Sequence, residues 1–329
     1  MPEHRLLVTG ANGFVGHAVV ERATAGPWVD VRAAFRGAPP KLASPASPVL
    51  IGDIDAHTDW SSGVRNVDVV VHTAARVHVM RDRKTDSLEE YRRVNVKGTL
   101  NLARQAAEAG VRRFIFISSI KVNGESTPAG RPFRADDRPA PVDPYGTSKL
   151  EAELALRHLA ANSALEVVVI RPPLVYGPGV RANFRSMMGL LRLGVPLPLG
   201  AIDNRRTLIG LDNLCDLITT CAQHPAAAGR TFLTGDGEDV STSELLRRLG
   251  LALDQPARLL PVPAQLLQAA LTALGRRDIG QRLCSSLQVD VAQARDVLGW
   301  SPPVSLDEGL RRAAQAYLAE TGRVSTASG

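Results

Sequence analysis

The segment VTGANGFVG, residues 8–16, follows the apolar stretch RLLVT and precedes a run with helical character. Its glycines, Gly10, Gly13 and Gly16, permit a tight turn, a close approach of the backbone to a pyrophosphate, and close packing of a helix on a strand. The N-terminus of the following helix offers free N–H groups and the positive end of its dipole. The order strand, glycine turn, helix therefore predicts a dinucleotide-binding site.

Short apolar runs alternate with helical patterns through the first half of the chain. Near-continuous apolar runs are typical of strands covered on both faces, and strands separated by helices imply a parallel sheet. We therefore predict an α/β fold with a Rossmann-type doubly wound parallel sheet. The predicted strands are RLLVT (5–9), VDVRAAF (29–35), PVLIGD (48–53), VDVVVH (67–72), RFIFISS (113–119) and EVVVIRP (166–172), and the clearest helices are 88–110 and 145–161.

The pattern changes at about residue 173, where proline and glycine become dense and the remaining elements read mostly as helices. One of these helices is predicted to start at Ser241, because Ser241 and Glu244 have the spacing of a capping box. We predict two domains. Residues 1–172 form an NAD(P)-binding Rossmann domain, and residues 173–329 form a smaller, mostly helical substrate-binding lobe that is partly interleaved with the sheet.

Composition restricts the class of protein. The 329 residues are 44% hydrophobic and 22% charged, and no apolar run approaches the length of a membrane span, so we expect a soluble protein with no membrane partner. The chain enters its first strand within five residues, which leaves no room for a signal peptide and predicts a cytoplasmic location. The net charge of +6 comes from scattered arginines. We expect no nucleic-acid partner, and the charge suits an anionic small substrate.

No metal site is expected. The three cysteines, Cys215, Cys221 and Cys284, lack metal-ligand or disulfide spacing and are interpreted as buried small apolar residues. The seven histidines also lack ligand spacing, and His72 is expected to pack at the end of the fourth strand.

The segment DPYGTSKLEAE, residues 143–153, contains the candidate catalytic pair. Tyr145 and Lys149 are four residues apart and share a helix face. A free tyrosine has a pKa near ~10 and is a poor base unless a nearby cation stabilises the phenolate, which Lys149 can do. Ser119 ends the fifth strand and can meet this pair at the carboxyl edge of the sheet. The alternative is an ordinary solvated helix start.

The spacing TGxxGxxG, the serine pair at 118–119 and YxxxK at 145–149 together resemble the extended short-chain dehydrogenase/reductase superfamily, in particular the NAD-dependent epimerase/dehydratase family that acts on nucleotide sugars. The resemblance covers nearly the whole chain and is closest to proteins of surface-polysaccharide pathways that handle UDP-linked N-acetylamino sugars. Further matching segments are VVHTAA (70–75), VNVKGTLNL (94–102), RPPLVYGPG (171–179), RRTLIGLDNL (205–214) and VLGWSPPVSLDEGL (297–310).

The resemblance implies roles for individual residues. Lys149 would also bind the nicotinamide ribose, Ser119 would hydrogen-bond the reacting oxygen, and Asn95 would help to position the catalytic helix or serve a purely structural role. A homodimer through the helices at 88–110 and 145–161 is also implied. The implied cofactor-binding residues are Gly10, Asn12, Gly13, Phe14, Val15, Gly16, Arg36, Asp53, Ile54, Thr73, Ala74, Ala75, Asn95, Tyr145, Lys149 and Pro172.

The resemblance also implies a UDP-linked substrate. Asn183 would contact the sugar phosphate, Leu197 would line the base, and Arg206 and Arg282 would clamp the diphosphate, where planar guanidinium donors suit phosphate oxygens. Arg276 or Arg277 could replace Arg282. The complete set of implied substrate-binding residues is Ser119, Lys121, Asn183, Leu197, Arg206 and Arg282.

The residues after Ser119 disfavour one reaction. Dehydratases of this family carry an acidic pair at this place, because elimination of water needs an additional acid and base. Here the positions are Ile120 and Lys121. The usual VYG motif reads VNG, with Asn123 replacing tyrosine.

Cofactor choice depends on the end of the second strand. An acid there would bind the ribose of NAD, whereas an arginine can pair with the 2′-phosphate of NADP. The chain has Arg36 at this place and no acid after Asp30, so NADP is slightly favoured over NAD. Asp53 would accept a hydrogen bond near the adenine.

Three functions follow. The first is an oxidoreductase at C4 of a nucleotide sugar, in particular a reductase of a UDP-4-keto-6-deoxy-N-acetylhexosamine in surface-polysaccharide biosynthesis. The second is a UDP-glucose or UDP-N-acetylglucosamine 4-epimerase with retained NAD. The third is a non-catalytic dinucleotide sensor, which the intact Ser119, Tyr145 and Lys149 disfavour.

Overall fold

The computed structural model describes residues 4–39, 45–77, 87–128 and 130–326, and its main feature is a seven-stranded parallel sheet. The strand order is β3-β2-β1-β4-β5-β6-β9, so the order reverses between β1 and β4. This reversal is the topological switch point at which doubly wound sheets bind ligands. The strands are β1 (His4–Thr9), β2 (Trp28–Phe35), β3 (Ser47–Leu50), β4 (Val69–His72), β5 (Arg113–Ile117), β6 (Glu166–Arg171) and β9 (Thr231–Leu233).

Helices cover both faces of this sheet. In β5, Ile115 packs in a buried cluster with α1 and α7, whereas Phe114 and Phe116 pack in a second cluster with α4 and α5. Burial on both faces explains the continuous apolar runs of the central strands. The helices of this part are α1 (Phe14–Thr24), α2 (Ser61–Val64), α3 (Ser87–Tyr91), α4 (Thr99–Glu108), α5 (Pro144–Ala161) and α7 (Leu211–Gln223).

The α/β prediction is confirmed, with the Rossmann-type sheet and a helical C-terminal part. All six predicted strands are present. Strands β1 and β2 begin one residue earlier than predicted, β4, β5 and β6 are shorter, and the predicted strand 48–53 covers Ser47–Leu50. The predicted helix 88–110 is interrupted, because a π-helical segment, Arg92–Gly98, separates α3 from α4. Short strands after residue 173 were not predicted, and β9 among them extends the main sheet.

A second, three-stranded sheet lies in the C-terminal half and packs against helices. Its strand order is β10-β8-β7, with β7 parallel and β10 antiparallel to β8. Tyr176, Leu208 and Val240 join this sheet to a separate buried cluster with α6, α8 and α12. The elements are β7 (Leu174–Tyr176), β8 (Arg206–Gly210), β10 (Asp239–Val240), α6 (Ala182–Arg192), α8 (Thr242–Ala252), α9 (Ala264–Ala273), α10 (Arg277–Cys284), α11 (Ala292–Leu298) and α12 (Leu306–Thr326). The division of the chain at residue 172 remains a prediction.

The predicted capping box at α8 is half formed. The Ser241 hydroxyl accepts a hydrogen bond from the Glu244 amide at 3.0 Å. The Glu244 carboxylate instead accepts from Arg248 at 2.8 Å, because an arginine one turn later offers a charged donor. The predicted start of α8 at Ser241 is therefore confirmed, although only one of the two hydrogen bonds of a capping box is present.

The three cysteines are free, as predicted. Cys215 and Cys221 are buried, and burial raises the pKa of both thiols to about 12. Cys284 is only half-buried, so its interpretation as a buried residue is only partly right. Across the described ranges, no helix combines the length and hydropathy needed to cross a bilayer.

A buried carboxylate, Asp236, connects the two sheets with α7. Its oxygens accept hydrogen bonds from the Gly210 amide at 2.8 Å, the Asn213 side chain at 2.7 Å and the Tyr176 hydroxyl at 2.7 Å. Burial of the carboxyl group raises its pKa, and the three donors act in the opposite direction. Asp236 is therefore the acceptor on which three buried donors depend.

Asp236→Ala should lower the free energy of unfolding by about 1–3 kcal/mol, because it leaves buried donors without an acceptor. Chemical denaturation measures this effect. Asp296→Ala is the matched control, since its side chain is 61% exposed, and it should change stability by no more than about 0.5 kcal/mol. Equal stability of the two variants would contradict the assignment.

Candidate active site

The glycine turn lies directly against the residues that follow β4. Gly10 has a φ of +68°, and a Cβ on it would stand 2.9 Å from the backbone N and Cα atoms of Ala74. The Gly13 amide donates to the Gly10 carbonyl at 2.8 Å, which closes the turn. Gly13 is also the N-cap of α1 and carries no side-chain cap, so the first helical amides face the turn.

Gly16 allows α1 to approach the turn. A Cβ at Gly16 would overlap the Gly10 carbonyl oxygen and would stand 2.6 Å from Thr73 Oγ1. The Thr73 hydroxyl itself donates to the Thr9 carbonyl at 2.6 Å and so joins the ends of β4 and β1. A cradle of backbone at a helix N-terminus, closed to side chains, fits a pyrophosphate.

The predicted adenine end of the crevice lies at the outer edge of the sheet. Arg36 follows β2, Asp53 follows β3, and their side chains pair at 3.7 Å between Arg36 Nε and Asp53 Oδ1. Both side chains are exposed. Ile54 is half-buried, and a Cβ added to Gly98 would stand 2.6 Å from the Cγ2 methyl group of Ile54. The structure thus brings the two predicted charged residues together.

The predicted catalytic residues gather at the carboxyl edge of β5. Helix α5 begins after Asp143, whose carboxylate caps it by accepting from the Gly146 amide at 2.6 Å. Tyr145 is half-buried in the first turn, and the buried Lys149 lies one turn later. The Lys149 ammonium donates to the Ile117 carbonyl at 2.8 Å, two residues before Ser119. Ser119 is half-buried and accepts from the Lys121 amide at 3.3 Å.

The environment of the pair disfavours charge on both groups. Burial raises the pKa of the Tyr145 phenol, and Asp143 and Tyr91 add to this effect. Burial lowers the pKa of Lys149 to about 7, partly offset by Glu153. The Lys149 Nζ atom also lies 4.4 Å from the centroid of the Phe116 ring, where a cation is attracted by the π face. Ionisation of the phenol therefore needs additional positive charge, such as a cationic ring bound in the crevice.

The whole chain resembles proteins of one family. A model of the NAD dependent epimerase/dehydratase family matches residues 6–235. A UDP-glucose 4-epimerase of Vibrio cholerae is 49% identical over 319 residues, which are 97% of each chain. The chain belongs to the NAD-dependent epimerase/dehydratase family. It is an enzyme of the extended short-chain dehydrogenase type, as its sequence motifs predicted.

Other relatives agree with this assignment. A UDP-glucose 4-epimerase of Mycolicibacterium smegmatis is 30% identical and covers 95% of this chain and 98% of its own. The solved structure of MoeE5 in complex with UDP-glucose and NAD superposes with a TM-score of 0.75 at 26% identity, covering 96% of this chain and 99% of that one. The family is NAD-dependent, and the predicted preference for NADP finds no support in these relatives.

Asn95 connects the segment that follows β4 to helix α5. Its side-chain oxygen accepts from the Arg76 amide at 2.8 Å, and its amide group donates to the Arg76 carbonyl and to Ser148 Oγ at 3.1 and 3.0 Å. The Ser148 hydroxyl donates in turn to the Tyr145 carbonyl at 2.8 Å. Asn95 lies in the π-helical segment, which is a common feature of functional sites. These bonds suit a positioning role, and direct contact with the cofactor remains a prediction.

His72 packs at the end of β4, as predicted. Its ring nitrogens pair with Thr9 Oγ1 at 2.7 Å and Thr99 Oγ1 at 2.9 Å, and the ring stacks on Phe116. Burial, with Lys149 nearby, lowers the pKa of His72 to about 3, so the ring is neutral. Among the described residues, no group of His, Cys, Asp or Glu is arranged to hold a metal ion.

The sequence did not predict a buried polar network that contacts Ser118, the neighbour of Ser119. The Glu153 carboxylate accepts from Ser118 Oγ at 2.6 Å and from the Arg171 guanidinium at 2.9 and 2.6 Å. Arg171 also donates to Asn123 at 2.9 Å, and Asn123 donates to the Arg134 carbonyl at 2.9 Å. Asn123, at the usual tyrosine position, therefore joins this ion pair to the loop before α5. The sequence offered two signals of this network: Glu153 follows Lys149 by four residues and so shares its face of α5, and Arg171 stands at the end of β6 before Pro172.

The predicted substrate residues lie in four places: on α6, at a short bridge, beside the start of β8 and in the turn after Ser119. Asn183 is exposed in the first turn of α6, and Leu197 forms a short parallel bridge with residues 258–260. Arg206 Nη1 donates to the carbonyls of Arg282 and Ser285 at 2.9 and 3.1 Å. Arg206 and the backbone of Arg282 are therefore in contact. Lys121 lies beside Ser119, and the Pro172 carbonyl accepts from the Ile120 amide at 3.0 Å.

The remaining predicted cofactor residues lie around the glycine turn and the end of β4. They lie in the glycine turn, in the first turn of α1 and after β4, and they are Asn12, Phe14, Val15, Ala74 and Ala75. Their contact with the cofactor remains a prediction.

Gly16→Ala should abolish retention of bound NAD, because the new methyl group would displace the turn or α1 from the pyrophosphate cradle. The measurement is the nucleotide released from the purified, denatured protein. Gly37→Ala is the control, since a Cβ there meets nothing within 4 Å. Equal NAD content in both variants would show that the glycine cradle is not required for cofactor binding.

Lys149→Met should stabilise the protein near neutral pH, and the gain should shrink as the pH rises. The pKa of Lys149 is about 7 in the folded protein and 10.5 for an unperturbed lysine, which represents the unfolded chain. Below pH ~10, the Lys149 side chain is therefore protonated more fully in the unfolded chain than in the folded protein. This difference destabilises the wild-type fold increasingly as the pH falls towards 7. Loss of the hydrogen bond to Ile117 adds a cost that does not vary with pH.

The measurement is the Tm difference between Lys149→Met and wild type at pH 7 to 10. Lys97→Met, on an exposed lysine, should give a flat difference over this range. A flat difference for Lys149→Met as well would show that Lys149 is charged in the folded protein.

Proposed function

We propose that the protein is a 4-epimerase of UDP-linked hexoses that retains NAD through its catalytic cycle. The convergence of Tyr145 and Lys149 on the carboxyl end of β5, beside the glycine cradle, is the observation that carries this proposal. The relatives at 49% and 30% identity are UDP-glucose 4-epimerases, which supports epimerisation of UDP-glucose.

Each catalytic residue then has a defined task. Bound NAD supplies a hydride acceptor and donor. Tyr145 would take the proton of the sugar C4 hydroxyl in the oxidative half of the reaction and return it to the C4 oxygen in the reductive half. Lys149 supports the phenolate electrostatically, and Ser119 donates a hydrogen bond to the reacting oxygen.

Elimination of water is not part of this proposal. The dehydratase position after Ser119 carries Ile120 and Lys121, and the Lys121 ammonium is paired with Asp143 at 2.5 Å and Glu125 at 2.9 Å. An ammonium held by two carboxylates cannot replace a carboxylic acid and base pair.

We propose NAD as the cofactor in place of the initial slight preference for NADP. A 2′-phosphate on Arg36 would lie next to the Asp53 carboxylate, which is 3.7 Å from Arg36 Nε. A phosphate bound to Arg36 and this carboxylate would carry like charges and repel each other, although exposure of the Arg36 and Asp53 side chains weakens the effect. The Asp53 carboxylate instead suits a ribose or adenine donor.

The substrate lobe would bind the UDP moiety. We propose that Arg206 and Arg282 contact the diphosphate, Asn183 the sugar phosphate, and Leu197 the base. Arg206 uses Nη1 for its two backbone carbonyls, and a guanidinium has five donors in total. Burial lowers the pKa of Arg206 without removing its charge.

We further propose a homodimer through α5 and the segment from α3 to α4, and a place in surface-polysaccharide synthesis. Leu154 on α5 is 53% exposed, which suits an apolar interface between copies.

The purified protein should interconvert UDP-glucose and UDP-galactose without added cofactor, because the hydride returns to the substrate in each cycle. Product analysis by nuclear magnetic resonance measures this conversion. Tyr145→Phe should reduce the rate by about 10²–10⁴-fold while retaining NAD, since only the proton route is lost.

The reductase hypothesis gives a different result. Stoichiometric consumption of NADH or NADPH with a UDP-4-keto-6-deoxy-N-acetylhexosamine, without interconversion of UDP-hexoses, would replace epimerisation by C4 reduction. Absence of both activities in a protein that holds NAD would favour the dinucleotide sensor.

A further inference from the structure

Lys121 forms an ion pair at the start of the catalytic helix. It lies in the 3₁₀ turn after Ser119, and its ammonium is 2.5 Å from Asp143 Oδ2 and 2.9 Å from Glu125 Oε1. Burial opposes the charge of Lys121, but the hydrogen bonds to Asp143 and Glu125 raise its pKa. Lys121 is therefore a fixed cation next to the reacting edge.

Asp143 is the residue that connects this cation to Tyr145. One carboxylate oxygen, Oδ1, caps α5 through the Gly146 amide, and the other, Oδ2, accepts from Lys121. Tyr145 follows two residues later, and the negative charge of Asp143 is the second cause, after burial, of its raised pKa. The cap that orients the catalytic helix thus also opposes ionisation of its tyrosine.

We propose that Lys121 is a positioning residue that holds the Asp143 cap in place and offsets the negative charge that this cap presents to Tyr145. The inference rests on the proposed function only in that Tyr145 exchanges a proton with the substrate. A cation on the far oxygen of a carboxylate reduces the field of that carboxylate at a neighbouring phenol.

Other charged or titratable groups lie around Tyr145 and are unchanged by substitution of Lys121. The ring of Tyr91 is 6.2 Å from that of Tyr145, and Lys149 Nζ is 5.9 Å from the Tyr145 ring. Within the described residues, other charged or titratable groups on elements near α5 are the pairs Arg92–Glu151, Arg171–Glu153, Arg93–Glu90 and Lys97–Glu89, the neutral His72, and Glu125 in the loop.

The test compares Lys121→Met, Lys121→Arg, Asp143→Asn and the double variant Lys121→Met/Asp143→Asn. The primary readout is the phenolate absorbance of Tyr145 in the NAD-bound protein, obtained by subtracting the titration of Tyr145→Phe. This readout needs no turnover, so it stays informative if the epimerase proposal fails. The pH profile of kcat and the KM for UDP-glucose form the second readout.

Lys121→Met should raise the midpoint of the Tyr145 titration by about one pH unit, because the Asp143 charge is no longer offset. Lys121→Arg should keep the midpoint close to that of wild type. Asp143→Asn should lower it, since asparagine preserves the helix cap without the charge. The double variant should return the midpoint close to the wild-type value.

For an epimerase, the acidic limb of the kcat profile should move with the titration, and KM should change less than about twofold, since a general base acts in its ionised form. Lys97→Met is the matched control and should move neither quantity. If Lys121→Met does not fold, the double variant decides the test by comparison with Asp143→Asn, because its Tyr145 midpoint should be higher only if the Lys121 charge acts on Tyr145.

Two results would overturn the inference. A rise in KM with an unmoved Tyr145 midpoint would assign Lys121 to direct substrate binding. An unmoved midpoint in Lys121→Met and Asp143→Asn would show that this ion pair has no influence on the catalytic tyrosine.

Discussion

The turn after β1 lies so close to the end of β4 that a Cβ at Gly10 would stand 2.9 Å from the Ala74 backbone. This contact fixes the separation of the two strands at the point where the strand order of the sheet reverses. Thr73 reinforces it by donating across the gap to the Thr9 carbonyl. The crevice for a dinucleotide therefore depends on the absence of side chains at the turn, and α1 can reach the same crevice because Gly16 also has none.

The edge of the sheet that carries Tyr145 and Lys149 is built at a cost in stability. Burial opposes charge on both side chains, yet both are held at the carboxyl end of β5. The Ile117 carbonyl and the face of the Phe116 ring keep the Lys149 ammonium in place. Unfavourable groups of this kind persist only when their surroundings fix them, and they concentrate at functional sites.

Two polar networks hold helix α5 against the sheet and the segment after β4. The Glu153–Arg171 ion pair lies under Ser118, and Asn95 joins Arg76 to Ser148 in the second turn of α5. A buried ion pair is a weak source of net stability, but loss of one partner leaves the other charge unpaired. Their value here is geometric, because they leave the Tyr145 helix one orientation relative to β5.

The sequence by itself determined the α/β class, the six strands of its first half, the glycine turn and the Tyr145–Lys149 pair, because each of these depends on residues close together in the chain. It did not predict β9, the π-helical segment or the contacts of Asn123 and Asp236. Those features depend on partners up to 62 positions apart, as between Val169 and Thr231, and pairing over such distances is decided by tertiary packing. For the same reason the spacing of Arg36 suggested a phosphate contact, whereas the folded chain places the Asp53 carboxylate beside it.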